Sequence, residues 1–294
     1  MLKLSVLIGL MVCLETVLVQ CASNESSSVS APSGFSFEMI MTKLQVLEYH
    51  IIKKDLQADE RITVLASNVK SLVRDFSVQR ESRYTSCSSL PFRLSGIYQI
   101  QPEKPFKEPM SVLCDQEYES GGWTVIQHRF DGSVNFFRGW QEYKNGFGSL
   151  EGEFWLGLDR IHQLTASKPH ELLIVLEDYD GNKTYAKYDR FEIGDEGQKY
   201  VLKTLGTYSG TAGDSFSDLN GMKFSTLDAD NDTWGKNCAV EYTGAWWYTA
   251  CHHSNLNGRY LSGATKESWA GMVWHKFRGE DYSLKSSKMM IRQM

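Results

Sequence analysis

The sequence predicts an α+β protein: one globular domain of short mixed sheets and many loops, preceded by a short helix of the coiled-coil type. Three observations point there. Residues 35 to 79 include neither Gly nor Pro, and their apolar members recur in steps of three and four. After Arg83 the composition shifts sharply, and the rest of the sequence holds all eight Trp, 13 of the 14 Tyr and nearly all of the Gly. There, short β-rich runs such as 123–128 and 172–176 alternate with Gly, Asp and Asn turns.

The elements follow in order. Met1, Leu2 and Lys3 form a basic start to an apolar stretch that runs to Val19, broken only by Ser5, Glu15 and Thr16. That is too short and interrupted for a bilayer, which takes about 20 apolar residues. Val19-Gln20-Cys21 fits a small-residue cleavage pattern, so residues 1–21 read as a signal peptide and Ala22 as the mature start. No later stretch is apolar enough to span a membrane, and the expected product is secreted. Residues 22–34 are Ser-rich and read as a flexible linker, with a glycosylation sequon at Asn24.

In the 35–80 segment, Phe37, Ile40, Leu44, Leu47 and Ile51 form one stripe, and Ile62, Leu65, Val69, Leu72 and Phe76 a second. The gap of eleven between Ile51 and Ile62 has the spacing of a stutter. A coiled coil of two or three strands, and so a homo-oligomer, satisfies this pattern; a helix packed on its own domain is the alternative.

Charge and motifs exclude several functions. The formal net charge is −5 and no run of Lys or Arg exceeds two, which leaves no phosphate-binding surface and no nucleic-acid partner. There is no H-E-x-x-H, G-x-S-x-G or Walker A sequence, and no nucleophile accompanies His252 and His253, so no enzyme is expected. Of six cysteines, Cys13 and Cys21 fall in the signal segment. The other four, Cys87, Cys114, Cys238 and Cys251, imply two disulfides in an oxidising compartment, with three possible pairings. Proximity favours Cys87–Cys114 and Cys238–Cys251.

The 228–232 run, Asp-Ala-Asp-Asn-Asp, sets carboxylates at every second residue, a donor set that suits calcium. It is not an EF-hand, because Thr233 and Ala239 stand where Gly and Glu are required. A sequon at Asn182 follows Asp180-Gly181 in a turn and is a candidate glycosylation site; one at Asn231 lies in the acidic loop, where a glycan fits only if Asn231 points outward.

Beyond the acidic run comes Asn-Cys-Ala-Val-Glu-Tyr-Thr-Gly-Ala-Trp-Trp-Tyr at 237–248, then Cys-His-His-Ser-Asn-Leu-Asn-Gly at 251–258. With Gly-Gly-Trp-Thr-Val-Ile-Gln at 121–127 and Gly-Glu-Phe-Trp-Leu-Gly-Leu-Asp at 152–159, residues 85–294 resemble the fibrinogen C-terminal domain. The arrangement resembles invertebrate fibrinogen-related immune lectins and, in the globular domain, ficolins and tachylectins, although no Gly-X-Y repeat is present.

The resemblance implies the two disulfides that proximity favours. It also implies a calcium site on the Asp230 and Asp232 carboxylates and the Trp234 and Lys236 carbonyls, and a cis peptide between Ala250 and Cys251. Its lectin members bind N-acetyl groups in an aromatic funnel, which falls here on Tyr242, the N–H groups of Cys251 and His252, Trp269, Ala270 and Glu280. Trp269 stands where Tyr is usual, after a one-residue insertion. Glu280 replaces a Tyr, so that a carboxylate beside the cup would favour a cationic or amino-bearing ligand. The leading expectation is thus a secreted, calcium-dependent lectin of innate immunity for acetylated or related microbial surface glycans. The alternative is an angiopoietin-like ligand that docks on a receptor. Fibrin-like peptide capture would need an acidic residue in place of Tyr242.

Overall fold

Gly96–Ile100 (β1) and Met110–Asp115 (β2) pair antiparallel from Gly96 opposite Cys114 to Ile100 opposite Met110. Trp123–Arg129 (β3) joins β2 and is buried along almost its whole length, which its Trp, Thr, Val and Ile side chains suit. The computed structural model describes residues 84–102 and 109–294, with Thr42, Lys43 and Gln45 as helix. Those three fall within the predicted 35–80 helix; the signal peptide, the linker with Asn24, and the stripe residues lie outside the described residues. The protein divides into two units, Met1–Ala58 and Asp59–Met294, and all that follows concerns the second.

Next come Trp140–Asn145 (α1), the short strands Phe147–Gly148 (β4) and Phe154–Trp155 (β5), and Leu158–Ser167 (α2). Leu158, Ile161, Leu164 and Thr165 make the buried stripe of α2 at helical spacing. His170–Glu177 (β6) and Lys183–Tyr188 (β7) form a six-pair hairpin. Phe191–Ile193 (β8) pairs with Leu202–Leu205 (β9), and Tyr208–Gly210 (β10) closes the far edge against β7. Beyond it lie the one-turn helix Cys238–Glu241 (α3), then Ser254–Asn255 (β11), Gly263–Ala264 (β12) and Val273–Trp274 (β13). The one-turn helix His275–Arg278 (α4), Tyr282–Ser283 (β14) and Ser286–Gln293 (β15) complete the order.

Among the described residues the large sheet has nine strands, in the order β1-β2-β3-β15-β6-β7-β10, with β5 and β4 attached beside β3. Its pairing is antiparallel throughout; parallel partners occur only as isolated bridges such as Tyr84 with Ile100. The last strand is the central one: β15 pairs with β3 on one side and along all eight residues with β6 on the other. Short strands and many loops match the sequence expectation.

An aromatic cluster fills the space between the sheet and the loops of 212–258. Trp155 stacks on Phe224 at 5.9 Å, and Trp247 meets Phe224, Trp246 and Phe216 at 5.0, 5.2 and 5.7 Å between ring centres. Truncating one such ring to Ala costs about 3–5 kcal/mol. Both disulfides form as proximity favoured, Cys87–Cys114 and Cys238–Cys251.

The motif at 152–159 is explained by this framework. Glu153 is buried, and its carboxylate accepts N–H groups from Phe130, Asp131, Gly132 and Val134. Gly157, at φ +109°, passes so close to Asn145 that a Cβ there would lie 2.7 Å from the Asn145 carbonyl carbon. The motif at 254–258 hangs from β3: Gln127 donates to the Leu256 carbonyl at 3.0 Å, and Arg129 donates to the Leu256 and Gly258 carbonyls.

Candidate functional site

The acidic loop and the aromatic segment meet at the second disulfide. Asp232 accepts the Trp234 N–H on Oδ1 and the Cys238 N–H on Oδ2, both at 2.8 Å. Asp230 is exposed, and its Oδ1 accepts the Asp232 N–H. Burial, and then the neighbouring Asp230 carboxylate, push the Asp232 carboxyl above its usual range. Among the described residues no Lys or Arg is ion-paired with either carboxylate, and the Lys236 ammonium sits over the Trp234 ring instead. Two crowded carboxylates without a counter-ion fit a hard divalent cation. Asp230, Asp232 and the carbonyls of Trp234 and Lys236 are the residues that would hold it.

Asp228, which alternates with them in sequence, has a different task. It accepts the Trp140 N–H and the Thr226 hydroxyl, each at 2.7 Å, and so ties α1 to the loop. Asn231 points inward and donates to the Phe224 carbonyl at 2.9 Å, which leaves its sequon no room for a glycan. Asn182 is exposed in the turn before β7, although its amide also donates to Asp178 at 2.9 Å.

The residues expected around an acetyl cup converge. Asn237 caps α3 by accepting N–H groups from Ala239 and Val240, and the helix ends at Tyr242. The Tyr242 ring meets His252 edge-to-face at 4.9 Å, and Trp269 meets the same imidazole at 5.5 Å. The Ala250–Cys251 peptide is cis, as the resemblance implied. Cys251, His252 and Ala270 are buried, whereas Tyr242 and Trp269 are half-exposed walls. Trp269 adopts φ +69°, and its N–H donates to the Glu280 carbonyl at 2.8 Å. Burial pushes the His252 imidazole down to about 3, against a weaker opposing effect of the Trp269 backbone. The floor of the cluster is therefore a neutral ring.

Glu280 does not face the cup as a bare charge. Its Oε2 lies 3.2 Å from His275 Nε2, and the His275 ring in turn stacks on Trp269 at 5.2 Å and 17°. The Glu280 carboxylate thus already has a neighbour at hydrogen-bonding distance, with which a cationic ligand would compete. Sequence reasoning missed His275, Tyr248 and Asp218. Tyr248 is buried beside His252, 5.6 Å between rings, with its hydroxyl donating to Asn255. His275 is brought in by β13, whose pairing with β11 sets Ser254 opposite Trp274; no linear pattern announces it.

Comparison with known proteins agrees with this architecture. The family profile described as fibrinogen beta and gamma chains, C-terminal globular domain, matches residues 87–294. Angiopoietin-related protein 6 of Mus musculus is 50% identical over 200 residues, which is 67% of this protein and 43% of that relative. Fibrinogen C domain-containing protein 1 of Macaca fascicularis is 50% identical over 202 residues, 67% of this protein and 46% of that relative. The protein thus spans under half the length of these relatives.

Among solved structures, the fibrinogen-like globe domain of human ANGPTL2 superposes with a TM-score of 0.69 at 46% identity, covering 71% of this protein and 99% of that domain. Lamprey fibrin D-dimer, complexed with a Gly-His-Arg-Pro-amide peptide, gives a TM-score of 0.64 at 31% identity over 87% of this protein and 94% of the fibrin subunit. Such domains bind ligands and are not enzymes, and no helix among the described residues is long and apolar enough to cross a membrane. Over residues 87–294 the protein belongs to the family of fibrinogen C-terminal globular domains.

Proposed function

We propose that the protein is a secreted ligand of the angiopoietin-related type, whose fibrinogen-like domain docks on a receptor through the face built by Tyr242, His252 and Trp269. The 50% identity to angiopoietin-related protein 6 carries this reading. The site adds support. Tyr242 and Trp269 both pack on His252, and Trp269 also stacks on His275, which holds the two half-exposed rings in place. Aromatic anchors of this kind are typical centres of protein interfaces. An oligomer formed through the 35–80 segment would present several copies and raise avidity.

A second reading, the calcium-dependent lectin for acetylated glycans, is favoured by one observation: Tyr242 and Trp269 flank a neutral imidazole, an apolar setting that an acetyl methyl would accept. Cell-surface binding of the labelled mature protein separates the two. Receptor docking requires binding that survives a large excess of N-acetylglucosamine and is lost after protease treatment of the cells. Displacement by the acetylated sugar would overturn that reading and favour the lectin.

A further inference from the structure

We propose that His253 and His275 form a binding site for a divalent transition-metal ion of the zinc class, on the rim of the aromatic cluster and separate from the acidic loop. The pair is set by the sheet. Ser254 lies opposite Trp274 across β11 and β13, so the next residues out, His253 and His275, face each other as a cross-strand pair. The His275 N–H donates to the His253 carbonyl at 2.9 Å, which fixes the two backbones.

The rings stand 5.8 Å apart between centres, tilted by 38°. Two imidazoles that share one ion, with metal–nitrogen distances of about 2.0–2.1 Å, have centres roughly 5–6 Å apart. Both side chains are open to solvent, with 54% and 35% of their surface exposed, so an ion can reach them.

Each ring is also held by a carboxylate at one nitrogen. Asp218 Oδ2 lies 3.1 Å from His253 Nδ1, and Glu280 Oε2 lies 3.2 Å from His275 Nε2. Imidazoles that bind metals are commonly oriented in this way by an acceptor behind the ring. With the carboxylates at Nδ1 of His253 and Nε2 of His275, the nitrogens left for the ion are Nε2 of His253 and Nδ1 of His275. The two carboxylates add negative charge beside the ion. Of the cations on α4, Arg278 is already bound to Asp178 and Asp180.

No third His, Cys, Asp or Glu among the described residues completes a metal cluster here. Water fills the other positions, and the ion is an exchangeable one. Its effect would be local. Fixing His275 fixes the ring on which Trp269 stacks, so zinc would stiffen one wall of the aromatic face.

The test is calorimetric titration of Zn²⁺ into the full mature protein, stripped of metal and then saturated with calcium. One zinc per molecule is expected. His253→Asn and His275→Phe, the second of which keeps a ring against Trp269, should each lower the zinc affinity by roughly tenfold or more. Asp218→Asn, which removes the carboxylate behind one ring, should lower it by about tenfold. His253 is exposed and His275 half-exposed, and an unchanged melting temperature in each variant confirms that the fold is intact. Absence of stoichiometric zinc uptake by the wild type would overturn the site. So would unchanged affinity in either histidine variant, since a shared ion needs both rings. Neither result depends on what the aromatic face binds.

Discussion

His252 is the residue at which burial has the clearest measurable consequence. Its imidazole is pushed down to about 3, whereas in an unfolded polypeptide it titrates near its ordinary value of about 6.5. Between those two values the unfolded state takes up a proton that the folded one refuses. Stability is therefore full above pH 6.5 and falls as the pH drops toward 3. From pH 7 to pH 5 His252 alone should cost about 2 kcal/mol, read from urea unfolding at the two pH values. His128, which burial and then Lys288 lower to about 4, adds nearly as much over the same range. His252→Gln should therefore remove about 2 kcal/mol of the combined loss and leave the His128 part. An unaltered slope in the variant would mean that His252 is protonated in the folded protein. At the same scale, Tyr242→Ala and Trp269→Ala should each weaken binding to the partner by about 1 kcal/mol or more if they act as interface anchors. Surface plasmon resonance against the cell-surface partner measures this, and unchanged affinity in both would move the site elsewhere.

At the scale of elements, the acidic loop makes a prediction that separates its two aspartates. Calcium bound only by the folded state adds about 2.7 kcal/mol at a hundredfold excess over Kd, so EDTA should lower the melting temperature. Asp230→Asn should abolish that response and leave the calcium-free protein at least as stable as before, because the exposed side chain accepts only one 3.3 Å contact and its charge crowds Asp232. Asp232→Ala should abolish the response and also destabilise the calcium-free protein by about 1–3 kcal/mol, since the Trp234 and Cys238 N–H groups lose their acceptor. A wild-type melt indifferent to EDTA would remove calcium from the account. Gly157→Ala, forced into φ +109° against Asn145, should cost about 1–3 kcal/mol in backbone strain alone.

How far these elements were legible depended on how local their causes are. β3 and β6 could be read from continuous β-branched and aromatic runs, and the aromatic cluster from its motifs. β15 could not: Lys288 and Arg292 interrupt its apolar residues, and a register shift between Met289 and Met290 breaks the alternation. Its burial comes from strands more than a hundred residues away. His275 and Asp218 joined the site for the same reason, through pairings between distant segments. Glu280 meets Trp269 through its backbone carbonyl, and its side-chain neighbour His275 has no signal in the linear sequence.

For the whole molecule, the 35–80 stripes predict self-association. Sedimentation of the mature protein beside one lacking residues 22–83 should give a dimer or trimer for the first and a monomer for the second. Equal monomeric masses would assign the helix to its own domain instead. The sheet has a further consequence, for biosynthesis. β15 lies between β3 and β6, so the two halves of the sheet, β1-β2-β3 and β6-β7-β10, have no direct pairing with each other. During translation each half can gather early, but they can be joined only after residues 286–293 have left the ribosome. A message cut short before Ser286 would release a polypeptide with the inner edges of β3 and β6 both unpaired. Such open edges invite pairing with other molecules, and a truncated product of this kind should be retained by the cell as aggregate rather than delivered as a weakened protein.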